Sequence, residues 1–159
     1  MKEIILAGGC FWGVEAYFQR LNGVIKTVVG YTDGISENPT YKEVCAGGTG
    51  HFEAIKITFD PAVTNFETLA KLFFEIHNPA QTDGQGPDLG EQYLSKIFYA
   101  DEEQKQIAVK LIDILKSKGI NVATELLPLG VFWPAEDYHQ NYYNHKGTVP
   151  YCHAYTKRF

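Results

Sequence analysis

Short apolar runs typical of β-strands alternate with helical segments along this chain, and the order strand, helix, strand occurs twice in succession. Units of this kind are typical of domains in which helices pack on one sheet. We therefore predict an α/β fold: an α+β two-layer sandwich with a ferredoxin-like core, a mixed, largely antiparallel sheet and appended helices. The expected core segments are strands over 3–7, 24–31, 51–59 and 93–100, a helix over 12–21 and a helix from the capping residue Asn65 to about residue 77.

Further elements extend this predicted core. A helix is expected to begin at Asp101, with Gln104 in the capping-box position, and a last strand is expected over 122–126. Short helices are expected over 41–45 and near 136–143. Residues 78–92 are rich in Gly, Pro, Asp and Gln and form the longest polar loop, and a loop of that length in a compact domain is often functional.

Length and composition fit one domain. The 159 residues, 45% of them hydrophobic, can bury a sizeable core, so we expect a single domain over 1–159 with an irregular tail at 144–159. A formal net charge of -5 without runs of like charge argues against nucleic acid or an acidic membrane as partner. The apolar stretch after Glu3 is too short for a signal peptide, and no segment approaches the length of a membrane span.

The three cysteines, Cys10, Cys45 and Cys152, are far apart in the sequence and form no CxxC pair. This spacing argues against a disulfide framework and against a zinc site. A cytoplasmic location is the expectation, and a disulfide there would be transient. None of the five histidines has HxxxH or HExxH spacing, so no metal site is expected, although a thiol–histidine pair stays open.

Cys10 lies in GGCFWG (residues 8–13), where the first predicted strand gives way to a helix. The unpaired amides and the positive dipole end of a helix start stabilise a thiolate, so Cys10 is a candidate nucleophile. The glycines allow a tight turn, and Phe11 and Trp12 can wall an apolar pocket beside the sulfur. The alternative is that Cys10 is a small buried hydrophobe and that both rings belong to the core.

Glu53 is a second unusual residue. Strand alternation places it on the same face as Ile55 and Ile57, so its carboxylate points toward the apolar side. A carboxyl in such a place has a raised pKa and can act as an acid near neutral pH. The alternative is a Glu at the strand edge that water or a lysine satisfies.

Four further residues are candidates with simpler alternatives. Tyr93 lies at the opening of a predicted strand. The hydroxyls of Tyr41 and Tyr93 can donate hydrogen bonds into a cleft, or both residues can be ordinary core aromatics. Asp88, in QGPDLG (residues 85–90), is explained equally well as a turn residue. Cys152, near the C-terminus, can approach Cys10 only if the tail folds back, and is otherwise a simple thiol.

Taken together, these motifs resemble the type A peptide methionine sulfoxide reductases over about residues 5–152. The resemblance is carried by GCFWG (9–13), NPTY (38–41), GHFE (50–53) and QGPDLG (85–90) leading to Tyr93. It implies a repair enzyme without a cofactor of its own that reduces the S-epimer of methionine sulfoxide, free or in oxidised proteins, with thioredoxin as external reductant. A monomer is expected.

The resemblance also implies a role for each candidate residue. Cys10 would attack the sulfoxide sulfur and become a sulfenic acid, and Glu53 would protonate the departing oxygen. Cys152 would resolve the sulfenic acid as a disulfide, with Cys45 as a less favoured resolver. The hydrogen-bonding and substrate-holding roles would fall to Tyr41 and Tyr93, to Phe11 and Trp12 around the methyl group, and to Asp88 at the polar end of the substrate.

One position departs from the family pattern. Many family members have Asn where this chain has Pro87, and the proline can stiffen that loop without removing Asp88.

Two other functions stay open beside the one that the resemblance implies. Cys10 can also be the nucleophile of a peroxidase or an acyl transferase with a histidine base, although such chemistry leaves Glu53 without a task. A non-enzymatic module that binds methionine-containing peptides on Phe11 and Trp12 is the third hypothesis.

Overall fold

A six-stranded sheet forms the body of the protein in the computed structural model, which describes residues 1–143 and 153–159. The strands follow the spatial order β7-β6-β1-β3-β2-β8, and a two-stranded hairpin, β4-β5, lies apart from them. The strands are β1 (Lys2–Gly8), β2 (Val24–Thr32), β3 (Phe52–Phe59), β4 (Gly84–Gln85), β5 (Asp88–Leu89), β6 (Ser95–Tyr99), β7 (Glu125–Pro128) and β8 (Phe132–Pro134).

The four central strands have the ferredoxin-like arrangement. Strands β6, β1, β3 and β2 are neighbours in that order, and each is antiparallel to the strand beside it. Helix α1 (Phe11–Phe18) connects β1 to β2, and helix α3 (Phe66–Ile76) lies between β3 and β6. Strand β7 is parallel to β6, and β8 is antiparallel to β2. The predicted fold class, with its mixed, largely antiparallel sheet, is therefore confirmed.

The main core lies between the sheet and the helices, as expected for two layers. Alternate residues of β1 point to opposite sides: Ile4 and Leu6 join the main cluster with α1, α3 and α4 (Glu102–Ser117), whereas Ile5 and Ala7 join a smaller cluster on the other face. The smaller cluster is completed by Ala54 and Phe98. One face of the sheet thus carries most of the hydrophobic stabilisation.

The helix starts follow the capping signals. Asn65 Oδ1 accepts a hydrogen bond from Thr68 N at 2.8 Å, as predicted for α3. Asp101 Oδ1 accepts from Gln104 N at 2.8 Å, but the Gln104 side chain accepts from Ala100 N instead of closing a reciprocal box. The reciprocal capping box lies at α2 (Tyr41–Ala46), between Thr40 and Glu43.

Several predicted boundaries differ from the structure. Helix α1 ends at Phe18 rather than Leu21, because Arg20 N and Leu21 N donate to carbonyls three residues back and tighten the last turn. Tyr93 does not open a strand: it ends a 3-10 helix, Glu91–Tyr93, and β6 begins at Ser95. The last predicted strand lies at β7, three residues later than expected at its start. In the region of the helix expected near 136–143, the structure has a 3-10 helix, Asp137–His139, and helical residues again at 142–143.

Within the described residues, no helix is both long enough and apolar enough to cross a membrane. The longest of them, α4, has an outer face that is mostly charged and polar but includes the exposed Val109, and its buried apolar residues belong to the main core cluster.

Candidate active site

Cys10 is the N-cap residue of α1 and follows β1 after the single residue Gly9. Gly9 has φ +93°, which favours glycine, and a Cβ there would lie 2.6 Å from the Cβ of Gln85. The carbonyl of Cys10 accepts from the amide of Gly13 at 3.2 Å. Cys10 is 7% exposed, so it has little contact with solvent.

Glu53 lies beside that helix start. It is 1% exposed on β3, and its Oε1 accepts a hydrogen bond from Phe11 N at 3.3 Å. Burial raises the pKa of this carboxyl well above its ordinary value, negative charge on Cys10 raises it further, and the Phe11 amide opposes the shift. Burial and the neighbouring cysteine therefore both favour the neutral form of this carboxyl.

The second carboxyl oxygen of Glu53, Oε2, is buried and makes no hydrogen bond of ordinary geometry to the part of the chain that the structure describes. The nearby Tyr93 hydroxyl nevertheless lowers the pKa of Glu53. A buried polar atom without a full partner is costly in a folded protein and is found where a substrate or another functional group completes the set.

Tyr41 and Tyr93 both lie close enough to Glu53 for its charge to act on their hydroxyls. Tyr41 begins α2, and Tyr93 ends the 3-10 helix that packs against β3. Burial raises the pKa of both phenols, and the charge of Glu53 raises each of them further. Both hydroxyls therefore keep their protons and can donate hydrogen bonds in the space beside Glu53.

Aromatic rings wall this space. The Trp12 ring is half-buried and stacks on Tyr142 with the centroids 3.9 Å apart, and its centroid lies 5.8 Å from that of Tyr41. Phe11 is 1% exposed, with its ring 6.1 Å from that of Tyr41. Trp12 therefore presents an apolar surface at the site, and Phe11 supports it from the core side.

His139 is a residue of this wall whose place the sequence did not indicate. It is 1% exposed, its Nδ1 accepts from Trp12 Nε1 at 3.0 Å, and its ring lies 4.3 Å from Tyr41. Burial lowers the pKa of His139, so the ring is neutral and fixes the orientation of the indole. Because 127 positions separate His139 from Trp12, no local pattern in the sequence reports this contact.

Asp88 lies at the edge of the site, on β5 of the hairpin. It is half-buried, and its charge raises the pKa of Glu53. Burial raises the pKa of Asp88 itself, and the nearby His153 lowers it. The long polar loop therefore brings a carboxyl and the Tyr93 hydroxyl to the same region as Cys10.

The other two cysteines differ in what the structure describes. Cys45 is exposed on α2, one turn after Tyr41, and the hydroxyls of Tyr41 and Tyr93 both lower its pKa, although burial of the thiol raises it more. Cys152 lies outside the described residues. Among the residues in 1–143 and 153–159, no group of three or more His, Cys, Asp or Glu side chains is arranged to hold a metal ion.

Comparison with known proteins identifies what kind of site this is. The family profile described as "Peptide methionine sulfoxide reductase" matches residues 2–159. The chain belongs to the peptide methionine sulfoxide reductase family. It is 47% identical to the "Peptide methionine sulfoxide reductase MsrA" of Nautilia profundicola, an alignment that covers 96% of this chain and 88% of that protein.

Solved structures superpose on nearly the whole length of this chain. Mxr1 from Saccharomyces cerevisiae in reduced form superposes with a TM-score of 0.89 at 34% identity, covering 99% of this chain and 92% of that one. Mxr1 in complex with Trx2 matches with a TM-score of 0.64 at 25% identity, covering 97% and 88%. The chain is therefore a methionine sulfoxide reductase of the MsrA type, and the peroxidase, acyl-transferase and peptide-binding hypotheses are set aside.

Proposed function

We propose that this reductase is specific for the S-epimer of methionine sulfoxide, free or in oxidised proteins, and that it works through a sulfenic acid on Cys10. The observation that carries the proposal is the buried Glu53 carboxyl, whose pKa is raised, beside the helix start that Cys10 caps. A sulfoxide oxygen leaves readily only when it is protonated, and sulfur attack needs a thiolate. The two groups stand side by side at this turn.

In the proposed first step, Cys10 Sγ attacks the sulfoxide sulfur while Glu53 delivers its proton to the sulfoxide oxygen, assisted by hydrogen bonds from Tyr41 and Tyr93. The Glu53 Oε2 atom, which is buried without an ordinary hydrogen bond in the described chain, supports this assignment because a polar substrate atom would complete it. The S–O bond of the substrate and the new S–S bond then break as the hydroxyl passes to Cys10 Sγ, so the substrate sulfur is reduced by two electrons to methionine and Cys10 is oxidised to a sulfenic acid.

Substrate selection is proposed to rest on the aromatic wall and Asp88. Trp12, supported by Phe11, would contact the terminal methyl group of the substrate, because a methyl group bonded to sulfur packs well on an aromatic face. Asp88 would orient the polar end of the substrate from the hairpin. An epimer with oxygen and methyl exchanged would put its oxygen on the indole and its methyl at Glu53, which is the proposed basis of stereospecificity.

Regeneration is proposed to use Cys152 and thioredoxin. Cys152, in the tail at 144–159 of one domain over 1–159, would condense with the sulfenic acid to a disulfide, and a thioredoxin would reduce that disulfide. The yeast homologue Mxr1 has been crystallised in complex with Trx2, which supports such a partner. We propose that the cycle needs no resident cofactor and runs in the reducing cytoplasm, where the disulfide stays transient.

The test is a single turnover without thioredoxin. Reduced protein is mixed with the S- or the R-epimer of N-acetylmethionine sulfoxide, and released thioether and remaining thiols are counted. We expect about one thioether per chain from the S-epimer and almost none from the R-epimer. Cys10→Ser should release none, and Cys45→Ser should behave as the wild type. Release by Cys10→Ser contradicts the thiol mechanism, and equal release from both epimers contradicts the stereospecificity.

A further inference from the structure

Glu136 lies between β8 and the 3-10 helix Asp137–His139, in a short segment that is held on β2. Before it, Ala135 N donates to the carbonyl of Val29 at 2.9 Å. After the 3-10 helix, the Gln140 side chain accepts from Val29 N at 2.9 Å and donates to the Val29 carbonyl at 2.9 Å. Both ends of the segment are therefore fixed to one residue of β2, and Glu136 lies between them.

The Glu136 side chain uses both of its carboxyl oxygens. Oε1 accepts a hydrogen bond from the Tyr31 hydroxyl at 3.2 Å, and Oε2 accepts from Tyr41 N at 3.1 Å. Burial raises the pKa of this half-buried carboxyl, hydrogen bonds from its own amide, from Tyr41 N and from the Tyr31 hydroxyl lower it, and the net shift is downward. Glu136 is therefore a carboxylate at neutral pH and acts only as an acceptor.

The bond from Tyr41 N fixes the residue whose hydroxyl lies within reach of the charge of Glu53. Tyr41 is the first residue of α2, and an amide at that position has no partner inside its own helix, so Glu136 supplies one. The Tyr41 ring lies 4.3 Å from the ring of His139 and 5.8 Å from that of Trp12. One short segment thus contacts Tyr41 at two points, at its amide through Glu136 and at its ring through His139.

Tyr31 connects the same carboxylate to β3. It is fully buried, and it is the Cα partner of Glu53 in the antiparallel pairing of β2 with β3. Directly opposite residues of such a pair have their side chains on the same face of the sheet. Glu136 is therefore bonded through one oxygen to a neighbour of Glu53 and through the other to Tyr41.

We propose that Glu136 is a positioning residue that holds the backbone of Tyr41, so that the Tyr41 hydroxyl stays beside Glu53 during reduction. The inference rests on the proposed function, because Glu136 acts through the hydrogen bond by which Tyr41 is proposed to assist proton delivery. A hydrogen-bond donor aids a reaction only when it is aimed at the atom on which charge develops, and a displacement of about 1 Å can cost about 100-fold in rate. Without Glu136, the amide of Tyr41 loses the acceptor that fixes the start of α2.

A double-mutant cycle tests whether Glu136 acts through Tyr41. Single-turnover release of thioether from the S-epimer of N-acetylmethionine sulfoxide is timed over a range of substrate concentrations, which separates the maximal rate from the apparent affinity. Tyr41→Phe and Glu136→Ala should each lower the maximal rate about 10-fold and change the apparent affinity less than about twofold. In the Tyr41→Phe background, Glu136→Ala should lower the rate less than about twofold further, because the hydroxyl that it positions is already absent.

Glu43→Ala is the matched control. Glu43 is another carboxyl at the start of α2, and its Oε1 accepts from Thr40 N at 3.0 Å, one residue before Tyr41 N. The variant weakens the same helix start and leaves the bond from Tyr41 N to Glu136 in place, so its rate should stay within about twofold of the wild type. Glu136→Gln keeps an acceptor oxygen and should recover most of the rate that Glu136→Ala loses. The cycle is repeated with Glu136→Asp, whose shorter side chain keeps the charge but draws the acceptor away from Tyr41 N.

A wild-type rate in both Glu136→Ala and Glu136→Asp, an equal loss in Glu43→Ala, or losses that multiply in the double variant overturns the proposal. Multiplying losses would show that Glu136 affects the rate independently of the Tyr41 hydroxyl. A wild-type rate in Tyr41→Phe would instead remove Tyr41 from the proposed function, and Glu136 would then have no catalytic hydroxyl to position. Absence of thioether release in the wild type would refute the proposed function as a whole.

Discussion

Two buried glutamates, Glu15 on α1 and Glu53 on β3, look alike by burial and differ in everything around them. Each is 1% exposed, and burial raises the pKa of each. Glu15 has both oxygens occupied: Oε2 accepts from the Thr27 hydroxyl at 2.9 Å and Oε1 from Asn141 N at 2.8 Å. Among the described residues, Glu53 accepts one hydrogen bond of ordinary geometry, from Phe11 N at 3.3 Å, and the Tyr93 hydroxyl lies close enough to lower its pKa.

The comparison contrasts a buried carboxyl whose hydrogen bonds connect parts of the fold with the one that we propose acts in catalysis. The partners of Glu15 connect α1 to β2 and to the segment after the 3-10 helix 137–139, so its hydrogen bonds join three parts of the chain. The neighbours of Glu53 are a cysteine and two phenols that still hold their protons. A buried acid whose hydrogen bonds are incomplete, and which faces reactive groups, has the stronger claim to a catalytic role.

The largest expected effect is on the rate of reduction. Glu53→Gln removes the proton donor while keeping the shape of the side chain, so the protein should bind substrate but release the thioether about 100- to 10,000-fold more slowly. Glu15→Gln is the matched control, since it too replaces a buried carboxyl by an amide. Its rate should change less than about threefold, because Thr27 can reverse its hydroxyl and accept from the amide.

Single-turnover thioether release measures both variants at neutral pH. A wild-type rate in Glu53→Gln would remove the acid role from that residue. Equal losses in the two variants would mean that any neutral amide inside this core disturbs catalysis, and the distinction between the two sites would fail.

Stability should rank the two residues in the opposite order. Glu15→Met leaves the Thr27 hydroxyl and the Asn141 amide without an acceptor, so the free energy of unfolding should fall by about 2–4 kcal/mol. Glu53→Met removes a buried oxygen that lacks an ordinary partner and frees only the Phe11 amide. Its free energy of unfolding should change by no more than about 1 kcal/mol.

Urea unfolding under reducing conditions, with matched slopes, provides the measurement. A larger loss in Glu53→Met than in Glu15→Met would show that Glu53 is a structural anchor. The Oε2 atom of Glu53, which lacks an ordinary hydrogen bond in the described chain, would then no longer support a catalytic role for this residue.

The sequence revealed Glu53 more readily than Glu15 for a physical reason. Alternation along a strand has period two, so a carboxyl among isoleucines on one face of β3 is visible without a structure. GGCFWG likewise predicts the tight strand-to-helix turn, which φ +93° at Gly9 bears out. Glu15 was not singled out, because its meaning depends on Asn141, 126 positions away.

The rest of the site was hidden for the same reason. His139 fixes Trp12 across 127 positions, and His153 docks on Gly8 across 145. Neither contact leaves a local pattern. The sequence places Tyr93 at the start of a strand, since aromatic residues favour strands. In the structure, Tyr93 ends the 3-10 helix that begins after Gly90. Local periodicity predicts elements and faces, but contacts between distant loops require the packed structure.

The smallest expected effect is on the pH dependence of the free energy of unfolding. It distinguishes the two glutamates by the pH range, or window, over which the contribution of each carboxyl is lost. Each carboxyl has a folded-state pKa above its ordinary value of 4.5, and that of Glu53 is raised further. The folded protein therefore holds protons that the unfolded chain loses, so each contribution is fully present below pH 4.5 and is lost as the pH rises through the folded pKa. The decline cannot exceed about 1.4 kcal/mol per pH unit for each group.

Free energies of unfolding measured in steps from acidic to mildly alkaline pH should show this decline in the wild type. Glu15→Gln should flatten only its acidic part, whereas Glu53→Gln should flatten it up to higher pH. Cys10→Ser should narrow the Glu53 window, because negative charge on Cys10 is the second cause of that shift after burial. If Glu15→Gln instead flattened the decline up to the higher pH, the more strongly raised pKa would belong to Glu15. The pKa of Glu53 would then give no support to its role as the acid beside Cys10.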